Sequence, residues 1–184
     1  MRALTLTQPW AGLVASGIKL VENRSRSMIL HEDFGVPFAI HASREIDEDV
    51  YARIMELAPE LTHTGFSDGM IRSVIHTDDA WYRRTRITSA VLGIATIDSM
   101  LDPGAHGIGT AEPEASAPLA DDQRRWFFGP IGYVLRDVQA FSTPVQCRGW
   151  QGFWHLTSKE DRERGVQSEV ELAVLEQIEL TGGQ

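Results

Sequence analysis

The sequence predicts an α+β fold, a small mixed sheet curling towards a barrel. Three observations carry this. Short strand-like stretches recur along the chain, and only a few helical stretches separate them. The connections are too short and the helices too few for a doubly wound parallel sheet. The chain has 184 residues, 42% hydrophobic and 23% charged, enough for one core without a disulfide or metal staple.

The elements follow in order. "RALTLT" alternates and reads as a strand ended by Gln8 and Pro9. Pro9 suits the first turn of a helix, Thr7 is a plausible cap, and Trp10, Leu13 and Val14 fall at helical spacing before the stop at Gly17. "KLVENRS" is a second strand and "PFAIHAS" a third. A helix is expected from about 47 to 57, with Val50, Ile54 and Leu57 on one face and acids at its positive end. "GMIRSVIHT" reads as a short helix, and "TSAVLGIATID" as the clearest strand. Residues 102–122, rich in Gly, Pro and Ala, read as a long loop. "GYVLRDVQAFSTPV" and "GFWHLT" complete the strands. The last stretch reads as one appended helix with a stripe of Val166, Val170, Val174 and Ile178, plus Leu172 and Leu175. Residues 1–157 form the expected domain, and 158–184 an acidic amphipathic helix that either packs back or serves as a homodimer contact.

The net charge of -9 argues against broad, non-specific nucleic-acid binding. The charge is uneven, though: seven acids face three bases between Ser158 and Leu180, while bases gather in "WYRRTRI" and "DDQRRWFFG". A local basic cleft is compatible with that distribution. The aromatic–arginine mixture of Trp81, Tyr82, Arg83, Arg84 and Arg86 suits single-stranded nucleic acid, or is a loop with solvated charges. Cys147, the one cysteine, is expected to be a small filler in a reducing, cytoplasmic protein. Neither a signal peptide nor a membrane span is expected, as no apolar run approaches the ~20 residues needed to cross a bilayer. The six histidines lack H-x-H, H-x-x-x-H or H-E-x-x-H spacing, and phosphate-loop, dinucleotide and nucleophile-elbow motifs are missing. No metal and no cofactor is expected.

The run "QPWAGLVASGIKLVENRS" concentrates chemistry. Glu22 and Arg24, two apart on a strand, share a face, and Lys19 stands at the strand entrance. In a pocket, the cations would hold a phosphate or carbonyl oxygen, and the carboxylate would accept from a base amine or activate water. Trp10 would offer a stacking face. The alternative is a solvated ion-pair ladder with Trp10 in the core. Ser43 and Arg44, at the end of "IHAS", are further ligand-binding candidates, with His41 beside them as either a site residue or a satisfied buried histidine. Asp98 is either a second carboxylate of the cleft or a strand-end residue.

This run resembles the opening of the ASCH family (activating signal cointegrator homology), whose hallmark is a Q-P-W helix followed by G-x-K-x-x-E-x-R. Gly17, Lys19, Glu22 and Arg24 occupy the latter positions. "PFAIHAS", "AVLGIATID", "WFFGPIGYVLRDVQAFSTPV" and "RGWQGFWHL" are also similar, so the resemblance spans roughly residues 2 to 157. It implies a PUA-like fold: a small mixed β-barrel with a helix at the cleft. It further implies binding of RNA, single-stranded nucleic acid or a modified nucleoside by Trp10, Lys19, Glu22, Arg24, Ser43 and Arg44. Two alternatives stand beside that: a hydrolase acting on acetylcytidine or RNA, and a protein-interaction module. In acetylcytidine-hydrolysing relatives the position of Glu22 holds a threonine nucleophile partnered by the lysine. Glu22 removes that covalent route. Were the chain an enzyme, Lys19 and Glu22 would be its catalytic pair, Glu22 as general base and Lys19 stabilising the oxyanion.

Overall fold

Alternation in the first strand sets the plan of the molecule. The computed structural model describes residues 1–57, 80–101 and 119–182. In β1 (Arg2–Gln8), Leu4 and Leu6 are buried in the main core, while Thr5 and Thr7, between and beyond them, look to the other face. β3 (Pro37–Ile46) lies parallel to β1 in a register that sets Ala3 beside Ala39 and Thr5 beside His41. Phe38, Ile40 and Ala42 therefore join Leu4 and Leu6, and His41 joins Thr5 on the opposite face.

The remaining strands are β2 (Val21–Arg24), β4 (Ala90–Leu101), β5 (Ile131–Gln146) and β6 (Phe153–His155). They form one six-stranded sheet in the order β2-β5-β4-β3-β1-β6, antiparallel except for β1 and β3. Irregular register between β4 and β5, a mark of strong local twist, accompanies the curl of the sheet. The curl brings β2 back towards β1, where Arg24 Nη2 donates to the Thr5 carbonyl at 3.1 Å. The backbone ladder does not close among the described residues. The sheet is open at β2 and β6, and a side chain spans the gap between β2 and β1.

Helix α1 (Trp10–Ala15) follows the Gln8–Pro9 corner and is buried along nearly its whole length. Gln8 is fully buried and pins this corner. Its amide donates to the carbonyls of Arg84 and Ile87, and its oxygen accepts from Gly12 N. It thereby ties α1 to α3 (Ala80–Thr85); between them in sequence lies α2 (Val50–Leu57). The short α4 (Asp121–Arg124) is held by two amide side chains. Gln123 accepts from Leu20 N and donates to the Ile18 carbonyl, and Asn23 bonds the backbone of 126–129. Trp126 is buried with Leu13 and Val21 as a result.

The terminal stretch departs from the single helix expected. It forms α5 (Lys159–Glu163) and α6 (Glu169–Gly182). Gly165, at φ +72, takes the left-handed turn that ends α5. Ser168 then opens α6, accepting from Glu171 N at 3.1 Å and donating to the Leu156 carbonyl at 2.8 Å. Val166 thus lies outside α6 and is exposed, whereas Val170, Val174 and Ile178 pack against Ala3, Ala39, Val91, Ile94 and Phe141. Leu172 and Leu180 face outwards. The expected helix around 69–77 and residues 102–118 of the Gly/Pro-rich loop lie outside the described residues. No described helix is long and apolar enough to cross a membrane.

Candidate functional site

The sheet face that α6 covers is covered only in part. Ala3 and Ala39 lie in the cluster that α6 completes. Further along the same two strands, Thr5, Thr7, His41 and Ser43 line an open cleft of about 870 Å³. Its far wall is the connection from β5 to β6, residues 147–152, together with Gln146 and Ser89.

Charge in this cleft is opposite to that of the chain. Arg24 comes from β2, Arg44 from β3 and Arg148 from the connection, against one acid, Glu45. Their planar forks suit phosphate or carboxylate oxygens. Trp150 stands on the same wall with 58% of its surface exposed. Its ring lies 5.2 Å from that of Trp154, and the Arg148 guanidinium sits 5.7 Å from its centroid. An exposed indole beside guanidinium groups presents a face on which a flat ring can stack.

His41 is the floor on which this wall rests. It is buried, with Nδ1 3.2 Å from Thr5 Oγ1 and Nε2 3.3 Å from the Cys147 carbonyl. The Thr5 hydroxyl donates to the Trp150 carbonyl and accepts from Trp154 Nε1 at 2.9 Å. The Trp154 ring meets the imidazole edge-on at 5.5 Å. Burial pushes the His41 pKa below its ordinary value, opposed by the bond to Cys147. Gly149 packs directly against the ring: a Cβ there would fall 2.1 Å from His41 Cε1. His41 is thus both a satisfied buried histidine and part of the cleft lining.

The Lys19–Glu22–Arg24 run converges, with Lys19 and Glu22 buried and Arg24 reaching the cleft. Lys19 belongs to the turn after α1, where its backbone N bonds the Leu13 carbonyl, and is 1% exposed. Its ammonium donates to the Val21 carbonyl and to Glu22 Oε2 at 3.0 Å. Burial lowers its pKa, opposed by Glu22. Glu22 is also buried, and its Oε1 lies 3.2 Å from Arg24 Nε. Among these three, Arg24 lines the cleft.

Of the other residues singled out from sequence, Ser43 and Arg44 line the cleft. Trp10 packs with Trp126, edge-on at 6.4 Å, and with Phe128 at 5.8 Å, and is not among the cleft-lining residues. Asp98 sits in mid-strand, buried against Arg136 at 3.1 Å, and is not among them either. Arg83 and Arg84 lie on α3, which packs on α1; Arg84 reaches Ser16 and Arg86 reaches Glu48. Cys147 is half-buried, its thiol pKa pushed up by burial. Thr5, Thr7, Arg148 and Trp150 also line the cleft and were not among the site candidates read from the sequence. The signals were present: the hydroxyls alternate with Leu4 and Leu6, and "CRGWQG" sets an arginine and a tryptophan among glycines directly after a strand.

The crystal structure of ASCH from Zymomonas mobilis is similar to this chain, with 17% identity and a TM-score of 0.43, over 91% of this chain and 95% of its own. No protein-family model matches the chain, and no curated protein does.

Proposed function

We propose that this chain is an ASCH-like domain that binds single-stranded RNA, or a nucleotide cut from it, in the cleft between the ends of β1 and β3 and the 147–152 connection. One observation carries the reading. In a protein of net charge -9, three arginines and an exposed tryptophan surround one cavity of about 870 Å³. Arg24, Arg44 and Arg148 would take phosphate oxygens, Trp150 would take a base face, and Thr5, Thr7 and Ser43 would offer hydroxyls. A duplex keeps its bases stacked inside and cannot offer a face to Trp150. The hydrolytic alternative requires Lys19 and Glu22 against the substrate; both are buried, and neither is among the residues that line this cleft.

The test is a fluorescence-anisotropy titration with a short single-stranded RNA, the same sequence as duplex, and the mononucleotide. Single-stranded RNA should bind, with a log–log salt slope of about -1.4 to -2.1 for two or three phosphates neutralised. Arg44→Gln with Arg148→Gln should flatten the slope, and Trp150→Ala should weaken binding without changing it. Equal binding by duplex, or an unchanged slope in the double variant, would overturn the reading.

A further inference from the structure

Arg24 is a long side chain that would sample many rotamers if its tip were free. Here it is fastened at two points. Nη2 donates to the Thr5 carbonyl at 3.1 Å, and Nε lies 3.2 Å from Glu22 Oε1. Nε is buried and has no hydrogen-bond partner, so its contact with Glu22 is an ion pair without hydrogen-bond alignment. Glu22 is held in turn by Lys19 at 3.0 Å, and Lys19, in the turn before β2, is anchored to the Val21 carbonyl at the start of that strand. The chain of contacts runs from a fully enclosed lysine, through an enclosed carboxylate, to a guanidinium at the cleft. A buried lysine and carboxylate are costly to desolvate, and a well-packed apolar pair would serve stability as well. Their arrangement makes sense when the last member must be presented at a fixed angle.

We infer that Lys19 and Glu22 are positioning residues: neither touches the ligand, and together they hold the Arg24 guanidinium where it meets an anion in the cleft. This rests on the cleft being the binding site proposed above. Two accounts of Glu22 then predict opposite signs. If only charge mattered, removing a carboxylate beside an anion site would tighten anion binding. If Glu22 orients Arg24, removing its charge weakens binding.

The experiment compares wild type with Glu22→Gln in two readouts. The first is affinity, per folded protein, for a single-stranded oligouridylate without terminal phosphate. The second is the ¹⁵N signal of Arg24 Nε–H without ligand, which reports whether the guanidinium is fixed. Binding weaker by about tenfold, the size of one charge-assisted hydrogen bond, is expected in the variant. The Nε–H signal should exchange slowly in wild type and be lost by rapid exchange in the variant. Equal or tighter binding by Glu22→Gln would overturn the inference, as would a fast-exchanging Nε–H in wild type. If wild type bound no oligouridylate, the functional reading would fail while the Arg24 signal still decided the positioning role. Should Glu22→Gln not fold, Lys19→Met takes its place, with the same expected loss of the slow signal.

Discussion

Replacing Gly149 by alanine tests how the cleft wall is held. The added Cβ would stand 2.1 Å from Cε1, 2.4 Å from Nδ1 and 2.8 Å from Nε2 of His41. Ordinary contact begins near 3.4 Å, so wall and ring must separate by about 1.3 Å, the difference between 3.4 and 2.1 Å. His41 has little room to retreat, since it is buried between Thr5 and the edge-on Trp154 ring. The wall therefore lifts, and the 3.3 Å contact from Nε2 to the Cys147 carbonyl opens. Overpacking of this kind costs about 1–3 kcal/mol. For a domain of this size that lowers Tm by roughly 2–12 °C. Arg148 and Trp150 flank the displaced residue, so RNA affinity should fall as well. Gly182→Ala is the control, because a Cβ there meets nothing within 4 Å. Thermal unfolding and RNA titration of both variants would settle it. A Gly149→Ala protein with wild-type Tm and affinity would refute the packing of the wall on His41.

Other outcomes follow from the same geometry. Val174→Ala, at a fully buried position under α6, should cost about 2 kcal/mol in chemical denaturation, whereas Leu172→Ala, half exposed on the same helix, should stay within about 0.5 kcal/mol. Ser168→Ala, removing the cap that holds Glu171 N and the Leu156 carbonyl, should cost about 1 kcal/mol in the same assay. The His41 pKa is depressed by burial, so the unfolded chain takes up its proton first as pH falls. Stability should therefore decline as pH drops below the ordinary value near 6.5 and level off below the folded-state pKa, and His41→Gln should remove that component from a pH series of unfolding curves.

Much of the fold was legible because side-chain period and punctuation agree. Leu4 and Leu6, or Phe38, Ile40 and Ala42, alternate as a half-buried strand must, and Gly17 stops α1 where the apolar spacing ends. The terminal helix was misread because its apolar stripe continues through Val166, although Gly165 takes a left-handed turn and Ser168 restarts the helix; turn chemistry overrode periodicity there. Barrel closure is a long-range property of twist, and no local pattern distinguishes a closed ladder from one bridged by Arg24. The convergence of Glu22 and Arg24 followed from strand parity, but their depth did not: how far each is buried depends on what packs over it. Trp150 and Arg148 reach the cleft because β1 pairs with β6, a contact between residues far apart in sequence.

Chemical-shift mapping tests the central claim most directly. Titrating ¹⁵N-labelled protein with a short single-stranded RNA should shift the amides of Thr5, Thr7, Ser43, Arg44 and residues 146–152, and leave the outward residues of α6 unmoved. Shifts confined to α3, with its Arg83 and Arg84, or none at saturating RNA, would contradict it.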